Sequence, residues 1–338
     1  MSGTGVAQRM RAWQVREVGE PADVLAISEV AVPTPGPGEV LVEVWATALN
    51  FPDVLMVKGA YQVRPPLPFT PGIEMCGLVV AAGPGVSEHV VGDRVIGMPK
   101  PPNGSLARYA VAVNAELFPA PPGLDDVEAS ALHVAYQTAW FALNQRAGLR
   151  VGQTLLVNAA AGGVGSATVQ LGKTIGARVI GVVGSPAKAE AAKLLGCDTV
   201  IDRSSEDVVE AVRNATGGRG VDVVVDPVGG DSYTAATKVV AFGGKIVVVG
   251  FTSGQIPQPA LNHALLKNYS IIGLHWGRYL VEDPALVARC HADLTRLADV
   301  GAVRPLVSEQ VPFEEAGAAL VRLAAGETIG RIVVHPPL

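Results

Sequence analysis

Residues 154–166 read TLLVNAAAGGVGS, an apolar run followed by a glycine-rich turn. A strand, such a turn and a helix form the A-x-G-x-x-G variant of the dinucleotide fingerprint, with Ala160 at the first glycine position. The glycines let backbone approach a pyrophosphate and let the helix pack closely on the strand, and the helix N-terminus offers free N–H groups to phosphates. The stretch predicts a dinucleotide site with the candidate residues Ala161, Gly162, Gly163, Val164 and Gly165.

Strands and helices alternate after this stretch, which a lone glycine-rich turn would not require. Helical patterns separate apolar runs at 178–183, 199–201, 221–225 and 245–249, and a further strand is expected at 270–273. Because these runs are apolar throughout, helices are expected to cover both faces of the sheet. The pattern predicts an α/β fold with a doubly wound parallel sheet.

The sequence before the fingerprint has a different residue pattern. Short β-branched segments broken by Pro and Gly occupy residues 24–122, which favours a compact β-rich domain. A helical pattern then covers 125–143, with Asp125 or Asp126 as its N-cap. The C-terminal part predicts two more helices and a final strand, at 284–300, 314–325 and 331–334.

The end of the second strand of the alternating region carries no acidic residue, since positions 183–188 read VGSPAK. NAD-binding chains usually place Asp or Glu there, about 20 residues after the fingerprint, to hold the ribose 2′-hydroxyl. With Gly184 at that position a 2′-phosphate meets no repulsion, and Ser185 and Lys188 are candidates to bind it. The pattern favours NADPH. Alternatively, Ser185 only caps the next helix and Lys188 is a solvated charge.

The composition excludes several classes of function. Hydrophobic residues make up 49% of the 338 residues and charged residues 17%, so a large core can be buried. The net charge of −5 gives no attraction for nucleic acid or an anionic membrane. Three distant cysteines indicate a reducing compartment, and neither a secretory signal in residues 1–8 nor a membrane-spanning run is found. A cytoplasmic protein is expected.

Several motifs occur in a fixed order along nearly the whole chain: residues 50–53 (NFPD), 71–74 (PGIE), 92–95 (GDRV), 162–165 (GGVG) and 243–245 (GGK). With these motifs the sequence resembles the medium-chain dehydrogenase/reductase superfamily, in its quinone oxidoreductase (zeta-crystallin-like) branch. The resemblance implies a GroES-like catalytic domain from residues 1–132 and 275–338, a Rossmann NADPH-binding domain from 133–274, and an active-site cleft between them. It also implies a homodimer, with 270–273 as an edge strand.

The resemblance assigns further cofactor residues. Thr138 matches a position near the nicotinamide, Val249, Gly250 and Phe251 match the loop that lines the nicotinamide pocket, and Arg331 matches a basic position that reaches the pyrophosphate. Each has an ordinary alternative: Thr138 as a helix residue, Phe251 as core and Arg331 as a surface charge on a strand.

The zinc ligands of the superfamily's alcohol dehydrogenases are missing from the matching positions. Neither Leu49 nor Asn50 is the expected Cys, Ile73 stands where the ligand His is usual, and 99–108 has no cysteines of a structural-zinc lobe. The six His and three Cys show no ligand spacing. No metal site is predicted, and without a Lewis acid direct alcohol oxidation is not expected.

Hydride transfer without zinc remains open for acceptors that spread the incoming charge, such as quinones and enones. The polar groups on offer are Tyr61, Asn50 and Asp53; related enoyl-thioester reductases are thought to use a tyrosine matching Tyr61 as donor. Alternatively, Tyr61 only lines the pocket, and Asn50 and Asp53 shape their loop. Three functions stay open: a quinone or enone reductase, an enoyl-thioester reductase, and a low-turnover NADPH-binding protein of crystallin type.

Overall fold

A computed structural model describes residues 7–337, so most of the segment tested above for a secretory signal, residues 1–6, lies outside the described residues. Contacts divide the chain into two units. The first holds the described residues up to Val134 together with those from Ala298 onward, and the second holds Ala135–Leu297. The first unit is therefore discontinuous in sequence.

The N-terminal segment is rich in strands. These are β1 (Arg9–Val15), β2 (Leu25–Ala31), β3 (Glu39–Ala48), β4 (Met75–Ala82), β5 (Arg94–Gly97), β6 (Tyr109–Val113) and β7 (Leu117–Pro119). The short helices of this segment are α1 (Pro21–Val24), α2 (Phe51–Val57) and α3 (Asp126–Ser130).

The middle segment alternates strands with helices. Its strands are β8 (Thr154–Asn158), β9 (Arg178–Val183), β10 (Thr199–Asp202), β11 (Val221–Asp226), β12 (Val240–Val248) and β13 (Ser270–Gly273). Its helices are α4 (His133–Trp140), continued by a π-helical stretch (Phe141–Ala147), α5 (Gly163–Ile175), α6 (Pro186–Leu194), α7 (Val208–Ala215), α8 (Gly230–Val239), α9 (Leu261–Lys267), α10 (Tyr279–Glu282) and α11 (Pro284–Asp299).

The C-terminal segment returns to the first unit. It contains β14 (Val307–Pro312), α12 (Ala316–Ala324) and β15 (Arg331–His335). Strand β15 pairs antiparallel with β3, and Trp13 Nε1 donates to the carbonyl of Phe313 at 2.8 Å. Within the described residues, β14, β15 and β3–β7 form one mixed sheet. The last strand thus completes a sheet that begins in the first fifty residues.

The second unit contains the predicted parallel sheet. Its strand order is β10-β9-β8-β11-β12-β13, and every neighbouring pair is parallel. Leu156, Ile180, Val224 and Ile246 form its buried core together with residues of α7 and α8, so the apolar strands are covered by helices. The predicted α/β architecture, a GroES-like β-rich domain plus a Rossmann sheet, is confirmed.

Two details differ from the sequence-based expectation. The helix expected over 125–143 is broken: α3 starts after the N-cap Asp125 and ends at Ser130, and α4 starts again at His133. The segment after β13 belongs to the second unit, although a boundary was expected at 274/275, because Trp276 Nε1 donates to Gln137 Oε1 at 3.1 Å and Tyr279 packs on Phe141. Among residues 7–337, no helix is both long and apolar enough to cross a membrane.

Candidate cofactor and catalytic site

The fingerprint turn joins β8 to α5 and leaves no room for a side chain at Gly165. Ala159 adopts a left-handed conformation (φ 51°), and Gly162 is the N-cap of α5 and donates its N–H to the carbonyl of Ala159 at 2.8 Å. A Cβ on Gly165 would lie 2.0 Å from that same carbonyl oxygen, so only glycine fits. The turn therefore has the close backbone packing that a dinucleotide fingerprint needs.

A cluster of positive charge lies at the carboxyl ends of β9 and β10. A Cβ on Gly184 would lie 3.1 Å from Arg203 Nη2, so the guanidinium occupies the space beside the missing acidic side chain. Partial burial, and then the charge of Arg203, lowers the pKa of Lys188. Ser185 caps α6 through a hydrogen bond from the Lys188 N–H to its Oγ (3.4 Å). Ser185 therefore caps the helix, as the alternative interpretation predicted, and it lies beside the two cations Lys188 and Arg203.

Arg203 is a candidate that the sequence reasoning missed, because it follows a different strand from Gly184. Within residues 7–337 its guanidinium forms no salt bridge. The available signal was a basic residue directly after the third strand of the sheet, since NADP-binding chains use an Arg near the ribose to accommodate the 2′-phosphate.

A cavity of about 370 Å³ opens beside this cluster. Its walls include Asn158 at the end of β8, Val182 in β9, Arg203 after β10 and Asp231 in α8. The strand order reverses between β8 and β11, where Asn158 Nδ2 donates to Asp226 Oδ1 at 3.1 Å. Crevices at the carboxyl ends of strands next to such a reversal are where open α/β sheets bind ligands.

The residues assigned to the nicotinamide lie in the same unit. Thr138 is buried in α4, and Val249 follows β12 and donates its N–H to the carbonyl of Asp226 at 2.9 Å. Phe251 is 37% exposed, so it is not a core residue. A ligand can reach this loop of Val249, Gly250 and Phe251.

A buried polar cluster occupies the first unit. Asn50 Nδ2 donates to Glu74 Oε2 at 2.9 Å and to the carbonyl of Ala48 at 3.0 Å. Arg331 Nη2 also donates to Glu74 Oε2 at 2.6 Å, and the Val134 N–H donates to Glu74 Oε1 at 2.7 Å. Glu74 is fully buried, and it caps the start of α4 because it accepts the hydrogen bond from the Val134 N–H. The sequence showed Glu74 only as part of the motif at residues 71–74, and it did not reveal the hydrogen-bond partners of Glu74.

The alternative interpretation of Arg331, a surface charge on a strand, needs correction. Its side chain is only 4% exposed and forms a buried ion pair with Glu74, so it is not a surface charge. Removing one partner would leave an uncompensated charge in the interior, which costs about 3–5 kcal/mol. We assign Arg331 to the interior of the first unit.

Asp53 also lies in the interior of the first unit. It is fully buried, and its two oxygens accept the N–H groups of Asn50 (2.8 Å) and Gly72 (3.0 Å). These bonds fix the start of α2 and the loop that follows residue 70. The geometry favours the loop-shaping role of Asp53 over direct catalysis.

Asn50 uses both N–H bonds of its amide internally, so towards a ligand it can only accept a hydrogen bond.

Asp53 should make stability depend on pH. Burial raises its pKa from 3.8 to about 7. The folded protein therefore keeps a proton that the unfolded chain releases, and we expect stability to fall between about pH 4 and pH 7, by up to about 1.4 kcal/mol for each pH unit. Urea unfolding of the unmodified protein and of the Asp53→Asn variant at several pH values tests this prediction. The other carboxyl groups contribute equally to the pH dependence of both proteins, so a difference between the two slopes reports Asp53. Identical pH slopes would contradict it.

Tyr61 is half-buried and packs against the core cluster of Val15, Met56, Val57 and Phe69. Burial, and to a lesser extent the Asp53 carboxyl, raises the pKa of Tyr61. The phenol therefore stays protonated at neutral pH and is able to donate. Of the three polar groups singled out from the sequence, Tyr61 is the least buried, and its O–H can donate to a substrate oxygen.

Within residues 7–337, no group of three or more His, Cys, Asp or Glu side chains is arranged to hold a metal ion. We expect the purified protein to contain no stoichiometric zinc and to keep its activity in the presence of chelators. Elemental analysis together with assays after EDTA treatment checks this. Zinc at one equivalent, with activity lost on chelation, would overturn it.

Comparison with known proteins agrees with this geometry. Residues 36–122 match the alcohol dehydrogenase GroES-like domain, and residues 163–290 match the zinc-binding dehydrogenase family. Quinone oxidoreductase-like protein 2 of Bos taurus is 37% identical over 331 residues, covering 98% of this chain and 93% of its own. The chain belongs to the quinone oxidoreductase branch of the medium-chain dehydrogenase/reductase superfamily.

Solved structures agree with that membership. A quinone oxidoreductase of Pseudomonas syringae has a TM-score of 0.90 at 32% identity, covering 97% of this chain and 100% of its own. A mycobacterial protein solved in complex with NADPH has a TM-score of 0.89 at 30% identity, with the same coverage. This member of the quinone oxidoreductase branch is an oxidoreductase, and its Rossmann-type domain is of the kind that binds a nicotinamide cofactor.

Proposed function

We propose that this oxidoreductase uses NADPH to reduce quinones or α,β-unsaturated carbonyl compounds without zinc. The observation that carries the proposal is the Arg203 guanidinium beside Gly184, with Lys188 next to it. An acidic residue at position 184 would neutralise this charge and repel a 2′-phosphate. With glycine there, Lys188 and Arg203 can bind the 2′-phosphate of NADPH, a group that NADH lacks.

The described residues fit the cofactor along its length. The turn from Ala161 to Gly165 would hold the pyrophosphate, Lys188 and Arg203 the 2′-phosphate, and the cavity beside Arg203 the adenosine end. Thr138 and the loop from Val249 to Phe251 would line the nicotinamide end. When bound, the cofactor supplies a hydride.

On the acceptor side, the chain has to stabilise charge on a carbonyl oxygen and provide a proton. Quinones and enones delocalise the added charge themselves, so a hydrogen-bond donor can suffice without a Lewis acid. In the proposed mechanism Tyr61 donates the proton that completes reduction of an enone. A quinone product takes its protons readily from water.

Turnover tests the proposed reaction. NADPH oxidation is followed by absorbance with 9,10-phenanthrenequinone and, separately, with a crotonyl thioester. Reduction of the quinone supports the proposal, and exclusive reduction of the thioester would make the protein an enoyl-thioester reductase. Reduction of neither, with NADPH still bound, would leave a low-turnover binding protein.

The unpaired thiols of Cys76, Cys197 and Cys290 support a cytoplasmic setting.

We also propose that the protein is a homodimer through the β13 edge of the parallel sheet. Strand β13 is the last in the strand order, and the neighbouring α9 buries none of its residues. Leu261, Leu265 and Leu266 of α9 are 72–74% exposed. A second copy would pair with the open strand edge and cover these leucines.

Sedimentation at micromolar concentration should therefore give twice the chain mass of 34.8 kDa. Replacing both Leu265 and Leu266 by Glu should produce monomers, because the charges would be buried in the interface. Leu194→Glu is the matched control, since Leu194 is 89% exposed elsewhere in the same unit. A monomeric mass for the unmodified protein would count against the dimer.

A further inference from the structure

The segment that follows β13 is tied to both elements proposed to hold the nicotinamide. Leu274 donates its N–H to the carbonyl of Val248, which directly precedes the loop from Val249 to Phe251 (3.0 Å). Two residues later, Trp276 Nε1 donates to Gln137 Oε1, and Gln137 is the neighbour of Thr138 in α4 (3.1 Å). These two bonds enclose one residue, His275.

His275 presents its imidazole outward from this anchored segment. The backbone at His275 is extended (φ −115°, ψ 92°), and the residues on both sides, Leu274 and Trp276, are 8% and 6% exposed. His275 itself is exposed. Tyr279 adds a further anchor, with its ring centroid 4.4 Å from that of Phe141. The backbone of His275 is therefore held at a fixed place at the carboxyl end of the sheet, and its side chain is exposed there.

We propose that His275 is a further catalytic residue, whose ring N–H donates a hydrogen bond to the carbonyl oxygen of the acceptor. This inference rests on the proposed function. As hydride adds to the conjugated carbon, the electron pair of the double bond moves to the oxygen, and a preplaced donor stabilises the charge that develops there. The imidazole keeps its proton. The proton that completes the reduction comes from Tyr61 for an enone or from water for a quinone.

This role differs from that of Tyr61 in its selectivity. A donor to the carbonyl oxygen acts on every carbonyl acceptor, whereas a proton donor to an enolate acts mainly on enones. His275→Leu should therefore lower turnover of the quinone and of the enone by similar factors, about 10- to 100-fold. His275→Gln, which keeps a side-chain N–H, should recover most of the loss.

The experiment compares His275→Leu and His275→Gln with His335→Leu, an exposed histidine in β15 outside the proposed site. NADPH affinity, from nucleotide fluorescence, should be the same in all of them, which separates a role at the acceptor from one at the cofactor. Losses confined to one acceptor, no rescue by Gln, or turnover in His275→Leu within about twofold of the unmodified protein would overturn the proposal.

Binding gives a readout independent of turnover. Phenanthrenequinone added to the NADP⁺ form should quench tryptophan fluorescence, and His275→Leu should weaken this binding about tenfold. If the unmodified protein reduces neither acceptor, the proposed function fails, and the binding measurement still decides the role of His275. Equal binding by the two proteins, or no binding by either, would then overturn it.

Discussion

The double variant Lys188→Ala, Arg203→Ala should bind NADPH about 10²–10⁴-fold more weakly than the unmodified protein and bind NADH almost equally well. A hydrogen bond to a charged group contributes about 1.5–3 kcal/mol, and two such contacts to the 2′-phosphate are lost together. NADH lacks that phosphate and so loses nothing. Titration of each nucleotide by fluorescence measures both affinities.

Two further variants sharpen this test. Gly184→Asp places a carboxylate within reach of Arg203, so it should lower NADPH affinity and shift preference towards NADH. Lys193→Ala is the matched control, because Lys193 pairs with Glu190 on the surface of the same helix as Lys188. Equal affinity of the unmodified protein for the two nucleotides would contradict the assignment of NADPH.

Replacing Tyr61 by Phe should lower turnover of an enone or enoyl substrate about 10²–10⁴-fold, the usual contribution of a positioned acid. Hydride addition to such substrates leaves an enolate, and the protonated phenol of Tyr61 is the group able to neutralise it. Quinone reduction should be affected much less, because its product is protonated by water. NADPH affinity should not change, and steady-state rates with both acceptors measure the difference.

Tyr109→Phe provides the control for this variant, since Tyr109 is a buried tyrosine of β6 in the same unit. A small loss in Tyr61→Phe that is uniform across acceptors would mean that Tyr61 only forms part of an apolar wall with Met56 and Phe69. In that case the proton would come from another donor.

The second unit was predictable because its signals are local. Continuous apolar runs indicated the parallel sheet, the glycines after β8 indicated the turn, and Asp125 and Ser185 cap helices where the sequence suggested. Each of these signals depends on residues within a few positions of one another. Local patterns of this kind are good predictors here because the folded protein retains the strands and helices that they specify.

The contacts of Arg331 and Glu74 could not be predicted in the same way. These residues are separated by 257 positions, and only the return of the chain as β15 beside β3 brings them together. A basic residue on a late strand reads equally well as a phosphate ligand, a surface charge or half of a buried pair. Arg203 was missed for a related reason, since its closeness to Gly184 depends on the parallel pairing of β9 with β10.

The return of β15 to β3 also orders events during synthesis. A ribosome produces the first 134 residues of the chain early, but the sheet that they begin lacks β14 and β15 until residue 335 has emerged. Glu74 has no guanidinium partner until Arg331 has been made, and Trp13 has no carbonyl partner until Phe313 has been made. The second unit is continuous in sequence and needs nothing from the C-terminus. It is therefore the unit able to fold first on the ribosome, and the N-terminal segment has to wait until β14 and β15 have been made.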